Sequence, residues 1–384
     1  MAIEGEVAVK LDCSGGRIDR VRVVSQRPDN TRTLLLNRSP EQAVTLVGSV
    51  FRICANAQMQ AAVTAIEQCQ RIDADPDTKV ARQQRVAMET LREHSWRVFL
   101  NWPTLVGEPP CKAPLKALLE IDRQWQQLFG SNAFISAANP ELPTVAAQRD
   151  CLTALGELLE TELFGIDPLL WQQMAMPTFE QWLADGQTMA ARVLGEIHRR
   201  HWSATGNTPT RHLTAIDRAT AHRLLTGEGA DRFVRQPDLQ GQCHESTPLS
   251  RQQYHPLIRS LTARFGTGLL TRMTALLVEI AAMLEAMTSP RLAADVERSG
   301  HAVGLGVVHA ARGLLIHRVE LQADRVTDYQ IVAPTEWNFH PQGTLARALH
   351  TLEANDRTAL KQQAGLLIEA MDPCVGYTLE IGHA

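Results

Sequence analysis

Apolar and polar residues alternate at the start of the chain. Val7, Val9 and Leu11 share one face, and Ile18, Val21 and Val23 follow after Ser14-Gly15-Gly16. A period of two broken by a glycine turn predicts a β-hairpin. From Pro40 to about Pro290 the period changes. Leu91, Phe99, Leu152, Leu155, Leu159, Leu163, Met273, Leu277, Ile280 and Leu284 fall largely at three- and four-residue steps within their segments, which predicts helices. Proline and glycine clusters at Pro103–Pro114, Gly165–Pro177 and Thr205–Thr210 read as loops between them. After Gly300 the pattern predicts strands again, at Gly313–Val319 and Val326–Val332, around a charged turn at Asp324-Arg325. Helices are expected near Thr344–Ala354 and Arg357–Met371, ahead of Asp372-Pro373-Cys374. Helices enclosed by terminal β segments predict one α+β domain over residues 1–384 whose two ends meet. It comprises a β segment at 1–39, a helical core at 40–300 and a β/α segment at 301–384.

Composition narrows the function. With 44% hydrophobic and 21% charged residues and a net charge of -4, the chain reads as an ordinary globular protein with no electrostatic pull toward nucleic acid. The most apolar stretch, Leu269–Met287, carries Arg272, Glu279 and Glu285, so it is expected to be a core helix and not a membrane span. The opening residues lack the basic region and apolar run of a signal peptide. Seven scattered cysteines without a CxxC pair argue against zinc knuckles and fit a reducing cytoplasm.

Three separated segments carry the chemistry. They are Phe51-Arg52-Ile53-Cys54-Ala55-Asn56-Ala57; Ala310-Ala311-Arg312-Gly313 followed by Ala333-Pro334-Thr335-Glu336-Trp337-Asn338; and Asp372-Pro373-Cys374-Val375-Gly376-Tyr377. In this order they resemble the RICGxC, APRG with VPTTWN, and DPCxxC motifs of the nickel–iron hydrogenase large subunit. Ile3-Glu4-Gly5 and Glu245–Arg251 are fainter echoes of RIEGH and ETGPLAR. The resemblance spans nearly the whole chain. It implies a hydrogenase large-subunit-like fold with a mostly helical core and small sheets near both termini.

The departures from the family pattern matter as much. In that family four cysteines hold the metals, and the second of each pair bridges nickel and iron. Cys54 and Cys374 match the first positions, whereas Ala57 and Tyr377 stand at the bridging ones, and Ala61 and Glu380 replace family histidines. Alanine offers no donor atom and a tyrosine phenol is a hard ligand seldom ionised near neutral pH, so the usual bimetallic centre has no bridges. The chain therefore looks like a HupK/HoxV-type accessory protein rather than a hydrogenase.

That resemblance implies Cys54 and Cys374 as metal ligands. Arg312 and Thr335 would be donors to cyanide, and Pro334 and Glu4 would lie beside the site. The implied cargo is the iron fragment Fe(CN)2(CO), with a HypC/HupF-like chaperone and a hydrogenase large subunit as partners. Because the family's iron sits on the missing bridges, the fragment here is expected to be displaced. Asn56 is expected to cap a helix whose N-terminus lowers the Cys54 thiol pKa. Blander alternatives remain open at this level: a surface-paired turn arginine at Arg312, a strand-end threonine at Thr335, and a plain strand-end carboxylate at Glu4. Cys13, Cys69, Cys111, Cys151 and Cys243 read as structural, although Cys243-His244 is a conceivable metal pair. Two other functions also stand: a metal-free module docking maturation proteins, and a mononuclear metal enzyme.

Overall fold

The computed structural model describes residues 5–26, 30–130, 132–136, 141–289, 303–353 and 355–383. The N-terminal alternation forms the hairpin it predicts. β1 (Glu6–Ser14) pairs antiparallel with β2 (Arg17–Gln26), with Val9 opposite Val23 and Leu11 opposite Val21. Val7, Val9 and Leu11 bury their shared face against the main core. The free edge of β1 takes a third strand, β6 (Tyr377–His383), in parallel, with Val7 beside Tyr377 and Val9 beside Leu379. The chain ends therefore meet, through a strand the alternation did not announce. Thr378 and Glu380 are exposed and only the intervening residues pack inward, which is how an edge strand looks.

A second sheet has the order β3–β4–β5, formed by β3 (Val303–Ala310), β4 (Gly313–Gln322) and β5 (Arg325–Val332). β4 and β5 lie where expected. β3 was not expected, and glycine explains why. Gly304 and Gly306 break a strand-like pattern because a helix lies directly on them. A Cβ on either would sit 1.7 Å from the carbonyl oxygen of Ala65 or 1.8 Å from that of Ala61. The helix is α2 (Ala55–Gln70), which follows α1 (Pro40–Val50) and the single 3-10 turn Arg52–Cys54.

α3 (Pro76–Trp96) starts at an Asp75 cap and runs past the inner end of this sheet. Its polar sequence suggests a solvated helix, yet Arg82, Arg85, Glu89, Glu93 and His94 are all buried. Beside it packs α4 (Leu269–Thr288), buried throughout Leu269–Ala281 as expected of a core helix, with Arg272 and Glu279 paired. Arg272 meets Glu245 at 3.0 Å, both wholly buried. Among the described residues no helix is long and apolar enough to cross a membrane. Two of the expected loops contain short helices, Trp102–Val106 and Pro168–Trp171, each with proline in its first turn where the missing N–H is no loss. The short helix α5 (Pro334–Asn338) follows β5, and the expected helix near Thr344 ends early, at His350. The last helix, α6 (Arg357–Met371), leads into the Asp372-Pro373-Cys374 segment.

Candidate metal-fragment site

Two thiols from opposite ends of the sequence meet. Cys54 ends the 3-10 turn before α2, and Cys374 follows α6; a side-chain hydrogen bond joins their sulfurs, and neither is in a disulfide. Cys54 is buried and Cys374 half-buried. Each is held by backbone that α3 and its continuation pin in place. Arg92 donates to the Ile53 carbonyl at 3.2 Å. The Glu89 carboxylate accepts the first free N–H groups of α2, from Asn56 at 2.7 Å and Ala57 at 3.0 Å.

This corrects the expected capping. α2 begins at Ala55, Asn56 lies inside its first turn, and the cap is a carboxylate borrowed from α3. Burial pushes the Glu89 carboxyl up to about 7, against the pull of Arg92 and the two N–H donors. The expected lowering of the Cys54 thiol is also reversed. The bond to Cys374 holds its pKa well above the ordinary value, with burial and the charges of Cys374 and Glu89 adding to it, while Arg312 pulls down. The positive helix end that would have favoured the thiolate faces Glu89 instead.

On the other side, Arg97 grips the segment before Cys374. Its Nε donates to Asp372 Oδ1 at 2.6 Å and its Nη2 to the Pro373 carbonyl at 2.7 Å. Asp372 is buried with φ +52 at the end of α6. Burial favours its neutral form, but Arg312 and Arg97, with His94, keep its pKa below the usual carboxylate range.

Arg312 occupies the two-residue loop between β3 and β4. It is 3% exposed and pairs with buried Glu93 at 3.0 Å and Asp372 at 3.2 Å, so the surface-paired reading is overturned. Its Nε also donates to the Pro373 carbonyl at 3.3 Å, and its Nη1 is buried without a hydrogen-bond partner. Burial opposes its charge, but Asp372, Cys374, Glu93 and Cys54 hold its pKa well above the ordinary value, and its bond to the Pro373 carbonyl sets the guanidinium next to the Cys374 segment. The loop is tightly built. Gly313 has φ +136 and its α-carbon approaches Ser246, where a Cβ would lie 1.8 Å from the carbonyl oxygen. Arg251 donates to the Ala311 carbonyl at 2.7 Å while paired with Glu279. Glu279 in turn meets His94 at 2.8 Å, and His94 faces Asp372 at 3.9 Å. The fainter motif around Arg251 thus buttresses the Arg312 loop.

Pro334 and Thr335 begin α5, both buried, so Thr335 is helical rather than at a strand end. Asn338 ties that helix to the loop by donating to the Arg312 carbonyl at 2.9 Å and accepting from the Ser246 N–H at 2.7 Å. Glu4 lies outside the described residues. At the two positions where bridging cysteines were expected to be missing, no donor faces the thiols. Ala57 is fully buried, and the Tyr377 hydroxyl bonds Glu369 on α6, its pKa pushed up to about 12 by burial and that carboxylate. Glu380 is exposed on β6. Cys243 does not pair with His244; its sulfur lies 3.2 Å from His340 Nδ1, and His244 bonds the Gln242 carbonyl. Among the described residues, no three His, Cys, Asp or Glu side chains gather as a metal cage. The chemistry on offer is two soft sulfurs, an adjacent fixed cation and a free, buried N–H.

Residues 216–376 match the family model of nickel-dependent hydrogenases. The hydrogenase expression/formation protein HupK of Rhodobacter capsulatus is 36% identical over 352 residues, covering 91% of this chain and 90% of that one. The chain belongs to the HupK family. Over nearly its whole length this HupK-family chain is also similar to HupK of Rhizobium leguminosarum bv. viciae, at 28% identity with 99% and 97% of the two chains covered. HoxV of Cupriavidus necator is 26% identical, covering 94% and 93%. Among solved structures, a reduced, active Ni-Fe-Se hydrogenase from Desulfomicrobium baculatum superimposes with a TM-score of 0.68 over 95% of both chains at 15% identity. That likeness shows the fold: a hydrogenase large-subunit architecture carried by a HupK-family chain.

Proposed function

We propose that this chain serves hydrogenase formation by carrying the Fe(CN)2(CO) fragment as cargo, without catalysing hydrogen chemistry itself. One observation supports the reading above others. Two thiols touch beside a buried guanidinium that keeps one N–H unpaired. An unpaired buried donor costs roughly 1–3 kcal/mol, so the site is incomplete without an acceptor there. Cyanide nitrogen is such an acceptor, and a guanidinium supplies fixed donors together with charge. In this reading Cys54 and Cys374 ligate iron, Arg312 and Thr335 face the cyanides, and Pro334 shapes the wall. With only two protein sulfurs, the remaining ligands are the fragment's own. The relatives support the role in words alone, since HupK and HoxV are named hydrogenase expression/formation proteins. A HypC/HupF-like chaperone would be the donor and a hydrogenase large subunit the recipient, in the cytoplasm.

Infrared spectra of protein produced alongside active cofactor-synthesis machinery test this. Bands of bound cyanide and carbonyl are expected, lost in Cys54→Ala and in Cys374→Ala. Their absence from the unaltered protein, with hydrogenase formation undiminished in both variants, would leave a metal-free docking role instead.

A further inference from the structure

Next to Cys54 a second set of polar groups is buried. Gln58 Nε2 lies 3.7 Å from Cys54 Sγ, one helical turn along α2. Gln58 Oε1 meets His317 Nε2 at 2.8 Å, and His317 Nδ1 meets the Tyr329 hydroxyl at 2.8 Å. Gln58 is 2% exposed, His317 0% and Tyr329 1%. His317 and Tyr329 come from neighbouring strands β4 and β5, so the sheet holds the far end of the row rigidly.

The direction of every bond in this row follows from its ends. Among the described residues the Tyr329 hydroxyl has one partner, His317 Nδ1, so its proton points there. His317 Nδ1 is then the acceptor, and Nε2 carries the ring proton. Burial keeps the ring neutral, its pKa pushed down to about 3. Nε2–H donates to Gln58 Oε1, which leaves the Gln58 amide N–H to face sulfur. The Cys54 end agrees: sulfur lies within reach of that amide N–H, at 3.7 Å, and can accept it.

We infer that Tyr329, His317 and Gln58 form a fixed relay that delivers one N–H donor to the Cys54 sulfur and so orients it. Gln58 is a positioning residue in this scheme, and the outer partner of a ligand commonly tunes both its basicity and its direction. The assignment rests on the reading of Cys54 as a ligating thiolate, but it can be tested on protein that has never met cargo.

In a Cys374→Ala background, the rate at which iodoacetamide alkylates Cys54 at fixed pH is measured for three further substitutions. Gln58→Met keeps the volume and removes the donor; a roughly three- to tenfold slower rate is expected, the scale of one hydrogen bond. Gln58→Glu presents an acceptor and slows it further. Tyr329→Phe lies two residues away along the row and keeps the packing, so a smaller slowing in the same direction is expected. A merely structural glutamine would not produce this graded order at unchanged melting temperature. Equal rates in Gln58→Met and its parent overturn the relay. Should Gln58→Met fail to fold, an unchanged rate in Tyr329→Phe does so. In loaded protein, Gln58→Met raises electron density on sulfur and shifts the carbonyl stretch to lower wavenumber. If alkylation follows the order and no infrared bands exist, the relay stands and the cargo reading falls.

Discussion

Arg97 has the most demanding task of any single side chain near the thiols. It bonds Asp372, the Pro373 carbonyl and Glu369 together, while Arg312 shares the first two. Arg97→Gln leaves Asp372 with one cation and frees the backbone before Cys374. Oxidation of the Cys54–Cys374 pair by diamide should slow at least about tenfold, since sub-ångström placement governs such encounters. Arg97→Lys should recover part of the rate. Tyr377 shows the opposite case. Its hydroxyl serves Glu369, a carboxylate that Arg97 and Asn101 also hold. Tyr377→Phe should lower stability by about 0.5–1.5 kcal/mol in a urea titration and leave cyanide bands unchanged. Retained activity of the thiol pair in that variant would separate a structural tyrosine from a ligand.

Among the elements, α3 does most to build the site, and it explains what the sequence hid. Cys54, Cys374 and Arg312 were legible because each sits in a short local pattern. Glu89, Arg92, Glu93, His94 and Arg97 were not, because charged residues on a long helix read as a solvated face. Their four-residue spacing at Arg85, Glu89, Glu93 and Arg97 was the available signal: a charged stripe with no apolar face wide enough to bury instead. The same logic hid β3, where glycines replace the branched residues a strand usually shows. The contact of α2 with β3 has little tolerance. Gly306→Ala puts a methyl 1.8 Å from backbone, so α2 must lift and carry Cys54 with it. A loss of about 1–3 kcal/mol is expected. Slower Cys54–Cys374 oxidation in the refolded variant would show that the displacement reaches the thiol.

At the scale of the whole molecule, the buried polar groups tie stability to pH. His317 titrates near 3 when folded, because burial penalises its charge, and near 6.5 when the chain is unfolded. The unfolded state therefore binds the proton first. The contribution of the neutral ring is complete above about pH 6.5 and drains as pH falls toward 3, at up to about 1.4 kcal/mol per pH unit. Denaturant titrations from pH 7 to 4 should show this slope, and His317→Gln should flatten it. An unchanged slope in the variant would mean that other groups carry the acid sensitivity.

The pairing of β6 with β1 has a consequence for how the molecule comes into being. Translation delivers Cys54 long before Cys374, and the strand that fastens the latter's segment is made later still. A chain still growing on the ribosome carries Cys54 without its partner thiol, with Arg312 long absent and then unanchored. In the proposed carrier role, capture that requires both sulfurs waits until β6 has been made and has docked on β1.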